Sequence, residues 1–293
     1  MKITEGYMPY LEYKTYYRIL GKCTGNKKPL VLLHGGPGST HNYFEVLDKI
    51  AEDGREIIMY DQLGCGLSAT PPRPDLWCAK TWIEELIQLR KYLGLDEIHL
   101  LGQSWGGMQA IQYACEYEPK GIKSYILSST LPSAKLWEKE QRRRVTYLPQ
   151  EMQDAIAKAE KSGDYSSKEY KKAEAEFMLR HCAGPVGPDA PECLRRPKIA
   201  GTEAYLTAWG QNEFSPSGTL KSFDYMNQIK NIEEPCLITS GLLDLCSPLI
   251  AKTMYDKIPN SEWELFEFSR HMSFVEENDK YIEVLNKWLN KND

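Results

Sequence analysis

Three features are scarce in this 293-residue sequence: excess positive charge, long apolar runs and closely spaced cysteines. The 36 basic and 41 acidic residues give a net charge of -5, so no overall positive field exists to hold a nucleic-acid backbone. No run approaches the roughly 18 apolar residues of a membrane-spanning helix, and the first residues lack the apolar centre of a secretion signal. We therefore expect a cytoplasmic protein that binds neither nucleic acid nor membrane.

The eight cysteines occur singly, without a Cys-x-x-Cys pair and without the Cys-His spacing of a metal site. In a reducing compartment they are expected to be free thiols. We therefore expect no disulfide and no cysteine-bound metal, and nothing else in the sequence implies a metal or a cofactor. The remaining composition, 42% hydrophobic and 26% charged, is ordinary for a globular protein, and the length suits one large or two medium-sized domains.

Short apolar runs, each closed by Gly, Asp or Ser, predict buried parallel strands. They lie at residues 29–33, 56–60, 98–101, 125–127, 236–239 and 263–266. Residues 11–20 alternate between apolar and polar side chains, which is typical of an antiparallel strand near the start. Helical patterns lie between the runs, at residues 81–93, 105–117 and 281–289. Strands that alternate with helices predict an α/β fold with a mostly parallel central sheet.

The local signals around the first predicted helix are specific. Thr81 and Glu84 have the spacing of a capping box, and Gly94 stands where a glycine commonly ends a helix.

The alternation stops near Leu131 and resumes near Ile232. The intervening residues contain three charge-rich, helix-prone stretches and a loop rich in Pro and Gly at 184–197. We expect these charged helices to present solvated outer faces. The pattern predicts a core domain formed by residues 1–130 and 232–293, with a helical cap domain of residues 131–231 inserted in it.

The segment from His99 to Gly107 is the most informative one for function. An apolar strand runs into Gly102-Gln103-Ser104-Trp105-Gly106 and then into a helix, which is the context of a nucleophile elbow. The small residues allow the strand and the helix to pass closely, while the serine is held in a strained turn. Ser104 is therefore the candidate nucleophile, against the alternative of an incidental serine in a glycine-rich turn.

A glycine-rich loop, His34-Gly35-Gly36-Pro37-Gly38, follows the strand predicted at residues 29–33. Such a loop can turn its backbone N–H groups toward a substrate oxygen. We expect the N–H groups of Gly36 and Trp105 to form an oxyanion hole. His34 itself is expected to support the loop by hydrogen bonding.

A second glycine motif, at residues 64–69, fits Gly-x-Gly-x-x-Ala and must be weighed as a dinucleotide-binding site. That site requires the glycines to open a helix. Pro71, Pro72 and Pro74 follow at once and exclude an uninterrupted helix. We interpret the motif as a structural turn.

A serine nucleophile requires a base and a carboxylate that orients the base. In α/β-hydrolases the chain order is Ser, Asp, His. Asp244 lies just past the strand at 236–239, and His271 lies just past the strand at 263–266. Both would reach the sheet edge that carries Ser104, so the sequence predicts the triad Ser104, Asp244 and His271, against the alternative that Asp244 caps a turn and His271 packs in the core.

Three motifs together resemble one family. His34-Gly35-Gly36-Pro37-Gly38, Asp61-Gln62-x-Gly64-x-Gly66-x-Ser68 and Gly102-Gln103-Ser104-Trp105-Gly106-Gly107 are similar to those of the proline iminopeptidases, α/β-hydrolases with a helical cap. The resemblance covers essentially the whole chain and is strongest to the lactobacillus type. It implies a serine exopeptidase that removes an N-terminal residue, preferably proline, from short peptides with a free N-terminus.

The resemblance also implies a residue for substrate recognition. In the family a cap glutamate binds the free amino group of the substrate, and the matching position here is Glu213. Some relatives carry a second acidic residue directly after the triad aspartate, where this chain has Leu245. Two alternatives stay open, namely a hydrolase of amino-acid amides or esters with the same triad, and a catalytically idle scaffold.

Overall fold

The computed structural model describes residues 1–293, and its eight strands form one sheet in the order β1-β2-β4-β3-β5-β6-β7-β8. The strands are β1 Ile3–Tyr10, β2 Tyr13–Leu20, β3 Leu30–Leu33, β4 Ile57–Tyr60, β5 Ile98–Gln103, β6 Ile122–Ser128, β7 Cys236–Gly241 and β8 Ser261–Phe266. Strands β3 to β8 are parallel to one another, while β2 is antiparallel to both β1 and β4. The predicted α/β class with a mostly parallel sheet is confirmed.

The start of the chain differs from the prediction. The antiparallel strand predicted at residues 11–20 is present as β2, but β1 precedes it in a hairpin whose turn falls at Leu11, which has a φ of 50°. The first strand was missed because Gly6 and Pro9 interrupt its pattern. Pro9 is tolerated because β1 is an edge strand, where proline's missing N–H is least costly.

Ten α-helices accompany the sheet. They are α1 Ala79–Leu93, α2 Trp105–Tyr117, α3 Ala134–Val145, α4 Gln150–Ser162, α5 Lys168–His181, α6 Glu192–Arg195, α7 Thr202–Ala208, α8 Pro248–Lys257, α9 Ser273–Glu276 and α10 Asn278–Lys291. None of them combines the length and hydrophobicity required to cross a bilayer.

The first helix shows one wrong prediction and one confirmed one. It begins after Cys78, so Thr81 lies inside the first turn and the predicted capping box does not form. Gly94 does end the helix, with a φ of 66° and its N–H bonded to the carbonyls of Arg90 and Lys91. The second predicted helix, α2, has the predicted bounds.

Apolar side chains cover both faces of the sheet. Successive residues of a strand point to opposite faces, and β3 accordingly gives Val31 and Leu33 to one buried cluster and Leu30 and Leu32 to the other. The central strands are therefore buried, whereas the edge strands β1 and β8 stay partly exposed.

The segment between β6 and β7 contains α3 to α7 and no strand longer than an isolated bridge between Ser133 and Asp224. Its buried aromatic residues belong to the same apolar cluster as one face of the sheet. They include Trp137, Tyr170, Phe177 and Phe214. The segment thus packs onto the carboxyl edge of the sheet through a continuous core.

The close packing of α2 on the sheet leaves no space for a side chain at Gly106. A Cβ at this position would lie 2.1 Å from the carbonyl oxygen of Leu33 in β3. The start of α2, and with it Ser104, is therefore seated directly on the neighbouring strand.

We predict that Gly106→Ala destabilises the protein. Alanine is ordinarily about 1 kcal/mol better than glycine inside a helix, but here its methyl group must push α2 away from β3. We expect the free energy of unfolding to fall by about 1–3 kcal/mol, measured by denaturant titration. Gly187→Ala is the matched control, because a Cβ there meets nothing within 4 Å. Equal stability of the two variants would contradict the prediction.

Candidate active site

Ser104 stands between β5 and α2 in a strained conformation, with a φ of 56° and a ψ of -120°. A non-glycine residue rarely adopts such a backbone, and it persists only where the surroundings hold it. The Ser104 N–H donates to Ser128 at 2.9 Å, and its carbonyl accepts from the Thr130 hydroxyl at 2.7 Å. The result is a partly exposed serine between two buried neighbours, Gln103 and Trp105, as the elbow motif predicts.

Asp244 and His271 come together at the same sheet edge. The imidazole Nδ1 lies 2.7 Å from Asp244 Oδ1, and the aspartate is fully buried. Backbone N–H groups of Gly241 and Cys246 donate to the two carboxylate oxygens at 3.1 and 2.8 Å. The carboxylate is thus fixed on all sides, and its bond to Nδ1 leaves Nε2 as the nitrogen available for proton transfer.

His271 is also tied to the elbow. The Gln103 amide donates to the His271 carbonyl at 3.4 Å, so the residue before Ser104 contacts the base directly. The Ser104 hydroxyl itself makes no hydrogen bond to the imidazole in this structure. The sheet therefore brings the three predicted triad residues to one place, with the Asp–His pair already bonded.

The loop from His34 to Gly38 lies directly against Ser104. A Cβ on Gly35 would be 2.5 Å from Gln103 Oε1 and 3.0 Å from the Ser104 Cβ, so only glycine permits this approach. The Gly36 N–H has no hydrogen-bond partner, and the first N–H groups of a helix, here that of Trp105, have no acceptor within the helix. Two free donors thus flank the serine, where the oxyanion hole was predicted.

Glu213 lies in the segment inserted between β6 and β7. Its Oε1 accepts from the Tyr205 hydroxyl at 2.8 Å, and its carbonyl accepts from the Trp137 indole at 2.8 Å. The Trp137 ring in turn contacts the His271 ring, with centroids 6.1 Å apart. Trp137 therefore contacts both the backbone carbonyl of Glu213 and the ring of His271.

The charge of Glu213 is not balanced by the protein. Burial raises the pKa of this carboxyl, and the neighbouring Glu174 raises it further, while the Tyr205 hydrogen bond and His271 lower it. No lysine or arginine contributes. A carboxylate held in this way is suited to bind a cation that comes from outside the chain.

Several residues of the site were missed by sequence reasoning. The polar face of α3 was expected to be solvated, yet Glu140, Gln141 and Arg144 are buried. Gln141 donates to the Leu245 carbonyl at 2.7 Å, and Arg144 donates to the Asp244 carbonyl. The expectation of a solvated face was wrong because Gln141 and Arg144 bond to backbone carbonyls of the Asp244 loop, while Glu140 accepts from the Ser247 hydroxyl. A helical spacing of polar residues does not distinguish such bonds from bonds to water.

Helix α5 also supports the triad loops. The N–H groups of Leu245 and His271 donate to the carbonyls of His181 and Cys182, each at 3.1 Å. Glu174, which lies on the same helix, was not predicted as a site residue. Its half-buried carboxyl has a raised pKa, again because of burial. Leu245 is buried between these helices, so the position that is acidic in some relatives holds an apolar contact here.

The second glycine motif forms a turn. Residues 66–68 make a single 3-10 turn and no helix follows the glycines directly. No group of three or more His, Cys, Asp and Glu side chains is arranged to hold a metal ion.

Known proteins resemble this chain along its whole length. The family model for the alpha/beta hydrolase fold matches residues 28–278. The proline iminopeptidase of Clostridium botulinum (strain Hall) is 90% identical over 293 residues, which is 100% of both chains. That of Lactobacillus delbrueckii subsp. lactis is 55% identical over 292 residues, or 99% of each chain. The crystal structure of the Mycobacterium smegmatis proline iminopeptidase has a TM-score of 0.86 at 27% identity and covers 99% of this chain and 98% of its own.

These relatives confirm the resemblance that the three motifs indicated, and the family model confirms the α/β-hydrolase fold. The chain belongs to the proline iminopeptidase family of α/β-hydrolases.

Proposed function

We propose that this protein is a serine aminopeptidase that removes an N-terminal residue, preferably proline, from short peptides. The observation that carries the proposal is the carboxylate of Glu213, which has no lysine or arginine partner and lies close enough to His271 for the two groups to interact electrostatically. The names of the relatives, proline iminopeptidases at up to 90% identity, point to the same substrate.

The first half of the reaction forms an acyl-enzyme. Ser104 Oγ attacks the scissile carbonyl carbon while its proton passes to His271 Nε2, and Asp244 stabilises the resulting imidazolium through Nδ1. The N–H groups of Gly36 and Trp105 hold the negative oxygen of the tetrahedral intermediate. His271 then returns the proton to the leaving amine nitrogen, the C–N bond breaks, and the proline acyl group stays on Ser104.

The second half regenerates the enzyme. A water molecule attacks the acyl carbon and gives its proton to His271, which next protonates Ser104 Oγ as the ester bond breaks. The products are free proline and a peptide shortened by one residue. Atoms and charges balance without a metal or a cofactor.

Glu213 selects the chain end. A half-buried carboxylate stabilises a substrate ammonium by a charge-assisted hydrogen bond, whereas an acylated nitrogen carries no charge and would leave the carboxylate unpaired. Substrates with a free N-terminus are therefore preferred.

The inserted segment limits the size of the substrate. We propose that residues 131–231 act as a cap domain on the core formed by 1–130 and 232–293, because its helices α3 and α5 bond to the Asp244 and His271 loops. A cap so close to the serine favours short peptides. The eight free cysteines support the proposal of a reducing, cytoplasmic location.

We predict that Ser104→Ala abolishes hydrolysis of proline 4-nitroanilide. The variant keeps the fold but lacks the nucleophile, and loss of a triad serine typically lowers kcat by about 10⁶-fold. Release of 4-nitroaniline measures the effect, and circular dichroism checks the fold. Near-native turnover by a folded Ser104→Ala variant would refute the mechanism.

We predict that Glu213→Gln loses activity on substrates with a free amine. The amide is isosteric but has no charge to pair with the ammonium, so we expect kcat/KM for proline 4-nitroanilide to fall by about 10²-fold or more, which corresponds to about 3 kcal/mol. The wild type should not cleave N-acetyl-proline 4-nitroanilide.

The matched control for this variant is Glu118→Gln, which removes an exposed carboxylate remote from the triad. It should leave kcat/KM unchanged within about twofold. Equal activity of the wild type on the acetylated and the free substrate would leave the triad in place but eliminate amine recognition.

We predict that Tyr205→Phe moves the acid side of the pH profile. The Tyr205 hydroxyl lowers the pKa of Glu213, so its loss raises that pKa further above the usual value for a glutamate. Binding requires the ionised carboxyl, and kcat/KM should then decline at a higher pH as the solution is acidified. The pH dependence of proline 4-nitroanilide hydrolysis measures the shift.

A second readout separates an effect on Glu213 from an effect on the triad base. Labelling of Ser104 by a fluorophosphonate requires a neutral His271 but no ammonium at Glu213, so its pH profile should be the same in the wild type and in Tyr205→Phe. Tyr147→Phe, which removes an exposed hydroxyl that bonds Arg143, is the control and should shift neither profile. A shift of both profiles in Tyr205→Phe would assign the effect to the base.

A further inference from the structure

Gln62 lies just after β4 and is buried, with 1% of its surface exposed. Its carboxamide connects two loops that the sheet brings side by side. The amide Nε2 donates to the His34 carbonyl at 3.0 Å, and Oε1 accepts from the Trp105 indole at 2.8 Å. One side chain thus joins the loop after β3 to the start of α2.

These two attachment points are next to the proposed oxyanion donors. His34 is the first residue of the loop that carries Gly36, and the indole belongs to Trp105 itself. The Gln62 carboxamide therefore spans the gap between the two segments whose N–H groups must converge on one oxygen.

We propose that Gln62 is a positioning residue that sets the relative placement of the Gly36 and Trp105 N–H groups. The inference rests on the proposed function, because it presumes that these groups hold an oxyanion. A donor displaced by about 1 Å loses much of its effect on the transition state. Gln62 fits this task because a carboxamide offers a donor and an acceptor on one planar group.

The backbone of Gln62 reinforces the arrangement. Its N–H donates to His34 Nε2 at 3.0 Å, while His34 Nδ1 lies 2.9 Å from the Gly35 carbonyl. The imidazole must then be neutral, with its proton on Nδ1. Burial lowers the pKa of His34 to about 4, which keeps the ring in that state near neutral pH.

The loop that carries Gln62 is itself held by hydrogen bonds to side chains of α1. The Leu63 N–H donates to the buried carboxyl of Glu85 at 2.9 Å, and the Leu63 carbonyl accepts from the Trp82 indole at 3.0 Å. Gln62 is therefore attached to a rigid support and holds the two catalytic segments relative to it.

The test compares Gln62→Met with Gln109→Met. Methionine conserves volume and removes the carboxamide in both. Gln109 is also fully buried and its amide donates to the Trp82 carbonyl at 2.7 Å, but its side chain bonds neither the His34–Gly38 loop nor Trp105. We expect Gln62→Met to lower kcat for proline 4-nitroanilide by about 10- to 100-fold with KM changed less than about threefold, and Gln109→Met to keep kcat within about threefold.

A double-mutant cycle tests whether Gln62 acts through its hydrogen bond to the Trp105 indole. Trp105→Phe removes the indole donor together with part of the buried ring. It should also lower kcat at constant KM, and the combined variant should lose less than the product of the two single losses. Should Gln62→Met fail to fold, Trp105→Phe alone still tests the proposal, because it keeps an aromatic ring in the core.

The rate of Ser104 labelling by a fluorophosphonate separates this proposal from the proposed function. It reports on the oxyanion hole whatever the natural substrate is, so Gln62→Met should label at least about 10-fold more slowly than the wild type even if proline peptides prove not to be substrates. A kcat and a labelling rate within threefold of the wild type, or a rise of KM at constant kcat, would overturn the proposal.

Discussion

The strained backbone of Ser104 is the constraint on which the surrounding structure depends. A non-glycine residue at a φ of 56° costs of order 1–3 kcal/mol, and it is maintained by the neighbouring strand and by a tightly seated helix. The hydrogen bonds to Ser128 and Thr130 hold the backbone on one side. On the other side α2 rests so closely on β3 that position 106 has no space for a side chain. The exposed hydroxyl is thus a consequence of packing around a buried turn.

The inserted segment contributes to the catalytic geometry as well as to the substrate pocket. One face of α3 carries Trp137 against His271 and Glu213, and Arg144 against the Asp244 backbone. Burial lowers the pKa of Arg144, and burying such a cation is costly without partners. Its hydrogen bond to the Asp244 carbonyl shows where that cost is offset. A displacement of α3 would therefore disturb the contacts of Glu213, the proposed amine-binding residue, and the Asp–His pair together.

Local signals in the sequence predicted the elbow well, because a Gly-x-Ser-x-Gly turn between a strand and a helix is specified by neighbours in the chain. Long-range contacts were less visible. Gly6 and Pro9 concealed the edge strand β1, and the polar residues of α3 resembled a solvated face although three of them are buried. Glu213 was identified only by resemblance to a family, since no spacing relates it to residues 104, 244 and 271. Gln62 lies inside the motif Asp61-Gln62-x-Gly64-x-Gly66-x-Ser68. Its contacts with His34 and Trp105, however, depend on the sheet order β4-β3-β5.

The electrostatics of the pocket explain how a small ligand group could be discriminated strongly. Glu213 and Glu174 both have pKa values raised by burial, and no lysine or arginine compensates either of them. Folding therefore leaves both carboxyls without a lysine or arginine partner, and in the proposed function an entering ammonium would stabilise the ionised form of Glu213. An N-acetyl group removes that charge and adds a carbonyl oxygen, which repels the same carboxylates. A single acetyl group therefore both removes the attraction between ammonium and carboxylate and adds a repulsion at the same site. In addition, an unpaired buried polar group costs more than the loss of one hydrogen bond. The proposed recognition of the chain end thus depends on a carboxylate that the protein itself leaves without a lysine or arginine partner.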